Sequence, residues 1–302
     1  MNVLVTGASG YIGSALVPLL LAAGHRVRVI TRHGERIRQR PWHAAVEVME
    51  GDLADSAVCN KAVSNIEALV HVAGLAHANA AARDHEQENL INTGQLAVAA
   101  QQHGVSTFVF VSSCKANYPQ HSHYGRYKRE SEEFLLNLKG PMRVVCLRPG
   151  IVYGDGMSNN LNALLRVLRR PWLPVFIGSS NPIGMVSLQD CCRSLVAALT
   201  IPALHGRCWE LTDGTSYTLD ALVRGIRAYY ALPEPAWHPP RFLVKLLCLA
   251  YEPVAKVIGS HLGLRTYKAI YEECYAPDLA FAKVSNTMPT TDFYAWLRDN
   301  KR

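Results

Sequence analysis

Apolar and polar positions fall into two alternating kinds of segment along the first half of this chain. Short apolar runs rich in β-branched residues, at 2–6, 27–31, 45–50, 68–74, 107–111 and 143–147, read as strands of a parallel sheet covered on both faces. The segments between them at 14–23, 54–64, 87–102 and 124–138 read as helices; the first stops at Gly24, and Asp52 or Asp55 starts the second. Strand–helix alternation of this kind predicts an α/β fold, a doubly wound parallel sheet. Beyond residue 155 the alternation returns with longer loops: helices at 159–170, 187–200 and 219–230, strands at 173–177 and 208–211. After Pro239-Pro240 comes an oily run from Phe242 to Tyr251. A helix buried in a second lobe is the expectation for it; a lid over an apolar substrate, or a surface resting on lipid or on a partner, are the alternatives. Residues 278–285 and 293–300 read as a polar, poorly specified tail.

The turn after the first strand is Gly7-Ala-Ser-Gly10-Tyr11-Ile12-Gly13. Strand, glycine turn, helix, strand is the context in which this spacing has a physical meaning. Gly7 permits the tight turn, Gly10 lets backbone approach a pyrophosphate, and Gly13 lets the helix lie close to the sheet. The helix N-terminus adds donors and positive potential. A Rossmann-type dinucleotide site is therefore expected. The second strand ends in Thr31-Arg32-His33 with no carboxylate to receive the adenosine ribose, and guanidinium suits a 2′-phosphate. NADP is favoured over NAD on that ground, with Glu35 as the nearest acid. Asp52 is placed to recognise an adenine amino group or to cap a helix, and Ala73 and Gly74 let a cofactor pass close to the backbone. His71, inside an apolar strand, reads as a packed histidine.

Ser112-Ser113-Cys114-Lys115 ends the fifth strand, the edge at which such sheets place ligands. A short link leads to Tyr124-Gly-Arg-Tyr-Lys128, and residues four apart share one helix face. Lys128 is thus expected beneath the phenol, lowering its pKa from ~10 toward the working range. Hydroxyl, phenol and ammonium together move a proton on and off an alcohol oxygen while hydride passes between the neighbouring carbon and a nicotinamide.

Composition narrows the alternatives. A chain of 302 residues, 49% hydrophobic, buries one large domain or a large domain with a smaller lobe. The net charge of +7 is spread out, with no long basic block, which reads as a mildly basic enzyme surface and not as a nucleic-acid interface. Eight cysteines show neither CxxC pairs nor a metal-ligand cadence, so buried free thiols in a reducing, cytoplasmic setting and no metal site are expected. The strand at 2–6 leaves no room for a secretory leader, and no apolar run reaches the ~18 residues of a membrane span, although peripheral contact stays open.

These features resemble the extended short-chain dehydrogenase/reductase superfamily, most nearly its NAD-dependent epimerase/dehydratase family. The resemblance rests on the glycine turn, Gly51-Asp52-Leu53, His71-Val72-Ala73-Gly74, Asn89-Leu-Ile-Asn-Thr93, Val111-Ser-Ser113, Tyr124-Gly-Arg-Tyr-Lys128 and Leu147-Arg-Pro149-Gly-Ile-Val-Tyr-Gly154, in the family's order from residue 3 to about 225. It implies that Ser113 orients substrate, Tyr124 is the acid/base, and Lys128 holds the ribose and polarises the phenol. Gly7, Gly10, Tyr11, Ile12, Gly13, Arg32, Asp52, Leu53, Val72, Ala73, Gly74, Asn89, Lys128 and Pro149 are the expected cofactor residues, Asn89 in a structural role. Residues 1–155 would form the cofactor domain and 156–302 mainly a smaller C-terminal substrate-binding lobe, with strands and helices returning to the sheet edge. A homodimer through the helices at 87–102 and 124–138 is implied too.

Four departures bear on the reaction. Tyr127 replaces a usual serine, and the link between Ser113 and Tyr124 is about half the usual length. Ser179–Met185 lacks the arginine that pairs with a sugar nucleotide, and the oily helix is closer to relatives that handle apolar ketones. The expected activity is a NAD(P)-dependent oxidoreductase acting on a secondary alcohol or ketone of a small-molecule substrate. A nucleotide-sugar 4-epimerase is the enzymatic alternative, favoured by Ser-Ser-x-Lys and Tyr-Gly-x-x-Lys-x-Glu-x-Glu. A cofactor-binding regulator or scaffold is the non-enzymatic one. Cys114 and Lys115 stand where dehydratases carry Asp-Glu, which disfavours dehydration.

Overall fold

The computed structural model describes residues 1–75, 81–157, 160–170, 179–234, 239–257 and 264–300. In chain order its elements begin with β1 (Asn2–Thr6), α1 (Tyr11–Ala22), β2 (Arg26–Thr31), α2 (Gly34–Arg38), β3 (Glu47–Glu50), α3 (Ser56–Val63) and β4 (Ala68–His71). There follow α4 (Ala82–Glu86), a π-helical turn (Gln87–Ile91), α5 (Asn92–Gln102), β5 (Thr107–Val111), α6 (His123–Asn137), β6 (Arg143–Pro149) and β7 (Ile151–Tyr153). The second half has α7 (Asn160–Leu168), β8 (Pro182–Ile183), β9 (Met185–Ser187), α8 (Leu188–Ala198), β10 (Arg207–Leu211), β11 (Tyr217–Thr218) and α9 (Leu219–Tyr229). It ends in α10 (Arg241–Val257), α11 (Leu264–Tyr271), α12 (Ala280–Ser285) and α13 (Phe293–Asp299).

Seven strands form one parallel sheet in the order β3-β2-β1-β4-β5-β6-β10. Period-two alternation divides each strand between two cores. Val3 and Val5 face α1 and α8 through Leu16, Val17, Leu20 and Leu195. Leu4, Phe108 and Phe110 face the other layer, with Cys59 of α3, Leu96 of α5 and Leu135 of α6. A third core joins Tyr153, Leu165, Tyr217, Ile226 and Phe293 in the smaller lobe. The strand order reverses between β1 and β4, so the carboxyl ends of β1, β4 and β5 open on the crevice where doubly wound sheets bind ligands.

Several expectations shift in detail. α1 starts three residues early because Gly10 is its N-cap and Tyr11-Ile12-Gly13 form the first turn. Pro18 within α1 cannot donate to the Ser14 carbonyl, and the Trp42 indole does so instead, at 3.1 Å. The helix foreseen at 87–102 is two pieces, the π-turn and α5, and α4 precedes them. The strand foreseen at 173–177 lies outside the described residues.

Two expectations for the C-terminal part are overturned. The oily helix is not buried: α10 turns Val244 inward, while Phe242, Leu246, Leu247 and Leu249 are exposed, because its apolar residues cover more of the circumference than its neighbours do. The tail is not poorly specified either. Asp292 caps α13 by accepting from the Ala295 amide at 2.8 Å, and Phe293 and Leu297, one turn apart, are buried. Five of the eight cysteines are buried.

Candidate active site

The link between β1 and α1 is a cradle of backbone. Gly7 has φ of +69°, and a Cβ there would sit 2.7 Å from the Ala73 nitrogen. A Cβ on Gly13 would meet the Gly7 carbonyl and lie 2.8 Å from Ala8 Cα. Gly10 donates to the Gly7 carbonyl at 3.0 Å, and no side chain caps α1, so its first-turn amides stay available to an anion. Thr6 Oγ1 accepts the Ala73 amide at 3.0 Å and is hydrogen-bonded to His71 Nδ1 at 2.8 Å, which locks the β4 turn against the cradle. His71 is completed by Thr93 at 3.0 Å, and burial, then the Lys128 charge, pushes its pKa down to about 3. It is a structural histidine.

Gly74 comes next, with Asn89 and Lys128 crowded against it: an added Cβ would lie 2.6 Å from Asn89 Oδ1 and 3.1 Å from Lys128 Nζ. Asn89, fully buried in the π-turn, accepts the Leu75 amide at 3.1 Å and donates to its carbonyl at 3.0 Å. It therefore shapes the wall. Arg32 and Asp52 follow β2 and β3, on the far side of the sheet from β5. Arg32 pairs with Glu88 at 2.5 Å. Asp52 accepts the Ala54 amide at 3.0 Å, and the cap of α3 is Asp55, from the Ala57 amide at 2.8 Å. Leu53 is buried in a core, Val72 is half-buried against one, and Pro149 ends β6 in register with Leu211.

The three chemistry-bearing groups converge at the end of β5. Ser113 caps a short 3-10 turn, Cys114–Asn117, its Oγ accepting the Lys115 amide at 3.2 Å. Tyr124 opens α6, whose cap is Ser122, accepting the Gly125 amide at 3.0 Å. A Cβ on Gly125 would lie 2.5 Å from the Lys115 carbonyl, so only glycine lets α6 come this close to the Ser113 turn. Burial pushes the Tyr124 phenol up to about 12, and the Ser113 side chain partly offsets this. Lys128, one turn later and buried, donates to the Val111 carbonyl at 2.9 Å, with Nζ 4.5 Å from the Phe110 ring centroid and 6.0 Å from that of Tyr124. Burial brings its pKa down to about 8, against the opposing effect of Glu132. The phenol is thus raised in this free enzyme, whereas the Tyr-x-x-x-Lys spacing predicts a lowered one, because burial is the largest influence on it.

Charged groups outside the expected set hold the pieces together. Arg148 of β6 grips Glu132 of α6 at 2.6 and 2.8 Å, and reaches Asn117 at 2.6 Å and Glu210 of β10 at 3.3 Å. Tyr127, where the family has serine, accepts from Arg126 at 2.6 Å. The wall thinned by the short link is rebuilt from far along the chain: buried Glu273 pairs with Lys115 and, at 3.3 Å, with His121. Tyr118 Oη accepts the Cys274 amide at 2.9 Å. No local pattern marks Glu273. A hint of the Gly125 approach was present in Tyr-Gly-x-x-Lys.

The donor set fits a dinucleotide. The cradle has no room for side chains, and two buried hydroxyls beside it, Tyr11 Oη at the foot of α1 and Ser112 Oγ at the end of β5, lack partners among the described residues. A crevice with such a cradle, opposite a Ser–Tyr–Lys set, defines an NAD(P)-dependent enzyme of the extended short-chain dehydrogenase/reductase type. The chain belongs to the NAD dependent epimerase/dehydratase family, whose model matches residues 3–176. It is 30% identical over 251 residues to a ceramide reductase of Caulobacter vibrioides, across 77% of this chain and 74% of the relative. It is 28% identical over 286 residues to a UDP-glucose 4-epimerase of Vibrio cholerae, across 85% and 82%. Its fold matches that of MoeE5 bound to UDP-glucuronic acid and NAD, with TM-score 0.74 and 19% identity over all of both chains. The chain is an NAD(P)-dependent oxidoreductase that moves hydride between the nicotinamide and a secondary alcohol or ketone carbon, in a reductase or epimerase cycle.

Proposed function

We propose that the enzyme is a net reductase of an apolar ketone, NADP(H)-linked, working through Ser113, Tyr124 and Lys128. The observation that carries this reading is the absence of any Lys, Arg or His between Arg170 and Arg193. A nucleotide-sugar substrate brings two phosphates, and this stretch of the substrate side offers no cation to pair with them. The likeness to a ceramide reductase points the same way.

The nicotinamide, when bound, supplies the hydride. Tyr124 gives the proton to the carbonyl oxygen, and a phenol near 12 is fully protonated at neutral pH, loaded for reduction. Ser113 would hold that same oxygen, which then lies between two donors as negative charge develops on it. Lys128 and the Gly74 backbone beside it would hold the ribose side of the cofactor, while the α1 amides would receive the pyrophosphate. Arg32 would take the 2′-phosphate, exchanging Glu88 for it.

The 4-epimerase reading keeps one supporting observation, the likeness to UDP-glucose 4-epimerase across most of both chains. Nucleotide analysis of freshly purified, undialysed protein separates the two. Empty protein that prefers NADPH to NADH supports the reductase; tightly retained NAD puts the epimerase first.

We infer a homodimer built on α5 and α6. Ile91 and Val98, two turns apart, and Phe134 are exposed and apolar, and Phe134 packs over Gly94, joining the helices in one patch. Sedimentation of Phe134→Lys as a monomer beside a dimeric wild type checks this.

A further inference from the structure

Helix α10 carries the three most exposed large apolar side chains of the described residues, Phe242 at 73%, Leu246 at 60% and Leu247 at 56%, and a fourth exposed one, Leu249, at 46%. At 3.6 residues per turn these four span an arc of about 160°, opposite the side on which Val244 is buried. Scattered apolar residues on a surface need no explanation, but a contiguous stripe on one helix does.

The rims of the stripe are chemically distinct. On one side stand Arg241 and Lys245, both exposed, with Lys245 Nζ 5.8 Å from the Tyr267 ring centroid and Arg241 donating to Tyr267 Oη at 2.8 Å. These contacts fix α10 to α11 and leave the two cations along the edge of the apolar face. On the other side is half-buried Tyr251. Over its whole length α10 has three cations, Arg241, Lys245 and Lys256, against one carboxylate, Glu252, in a chain whose net charge is +7. An apolar face of this width on a helix with an excess of cations is the pattern of a helix lying in the plane of an anionic bilayer, apolar side chains at the acyl boundary and cations at headgroup phosphates. No described helix is long and apolar enough to cross a membrane, so attachment here is by one face only.

We propose that α10 is an in-plane docking helix that seats the enzyme on an anionic lipid surface. The seat is joined to the active site. Arg241 lies 5.3 Å from the Tyr271 ring centroid, two residues before Glu273, which holds Lys115 and His121 in the link between Ser113 and Tyr124. The wall of the substrate side and the docking face therefore belong to one continuous segment. The docking stands independently of the apolar-ketone reading, although a bilayer is where such a substrate would dissolve.

The test is co-sedimentation of the full chain with vesicles of phosphatidylcholine mixed with phosphatidylglycerol, and with phosphatidylcholine alone. Wild type is expected to pellet with the mixed vesicles and to be released by added salt. The double variant Phe242→Ser, Leu246→Ser is expected to bind about tenfold more weakly or worse. Its far-UV circular dichroism and NAD(P)H affinity should be unchanged, which shows that it is folded. Three results overturn the proposal: no binding by wild type, equal binding by the double variant, or equal binding to phosphatidylcholine alone. A double variant that turns a dimer into a monomer, with no vesicle binding by either form, also overturns it and assigns the stripe to a second copy.

Discussion

Glu273 and Lys115, 158 residues apart in sequence, form an ion pair, with Lys115 two residues after Ser113. Burial alone would raise the Glu273 carboxyl, but the Lys115 charge and the hydrogen bonds from Lys115, Tyr275 and His121 hold it below the usual carboxylate value. Glu273→Ala would leave those partners facing an empty site. It should cost about 2 kcal/mol in chemical unfolding and raise KM more than it lowers kcat. A carboxylate with a lowered folded pKa stabilises above its unfolded value, ~4.3, and loses that contribution as pH falls through the folded one. The variant's stability should accordingly converge on wild type in acid.

Tyr124→Phe removes the proton donor and keeps the ring. kcat should fall at least about 100-fold, with cofactor affinity nearly unchanged in a fluorescence titration. Turnover that survives in this variant would sink the assignment.

Reduction should be pH-dependent through Lys128. An ammonium with its pKa near 8 is charged below that value and neutral above it. The rate of ketone reduction is expected to hold level to about pH 8 and then decline, whereas alcohol oxidation, which needs the phenolate, should rise over the same range. Steady-state profiles in both directions check this, and a reduction rate that climbs through pH 9 would contradict it.

Arg32→Asp places a carboxylate at the end of β2 beside Glu88. The variant should lose most of its NADPH affinity and gain NADH affinity, reversing the preference by about tenfold or more. Equal titration curves for the two cofactors in wild type would remove the basis for this prediction.

Most of the sheet, and the convergence of Ser113, Tyr124 and Lys128 at the end of β5, was legible because each signal was local. A strand before the glycine turn gives that turn its meaning, and four-residue spacing puts Tyr124 and Lys128 on one face. What stayed hidden depended on partners distant in sequence. Nothing near Glu273 announces Lys115, and the exposure of Phe242 depends on how little α11 covers. The Lys128 charge was readable, but the burial of the Tyr124 phenol was not, and burial is what raises it. The end helix was overlooked because it is only seven residues long, although Phe293, Trp296 and Leu297 fall at helical spacing.

β10 carries a consequence for how the molecule is made. It closes the sheet against β6, yet residues 150–206 are synthesised between them. At bacterial or eukaryotic elongation rates, that leaves the edge of β6 uncovered for roughly three to eleven seconds. The edge is Val144, Val145, Cys146 and Leu147, an apolar strand with open hydrogen-bonding groups, and Arg148 meanwhile lacks Glu210. The nascent chain therefore passes through a six-stranded sheet prone to pairing with its neighbours on a polysome. A message truncated before codon 207 would yield a product for chaperones and proteases, not a smaller working enzyme.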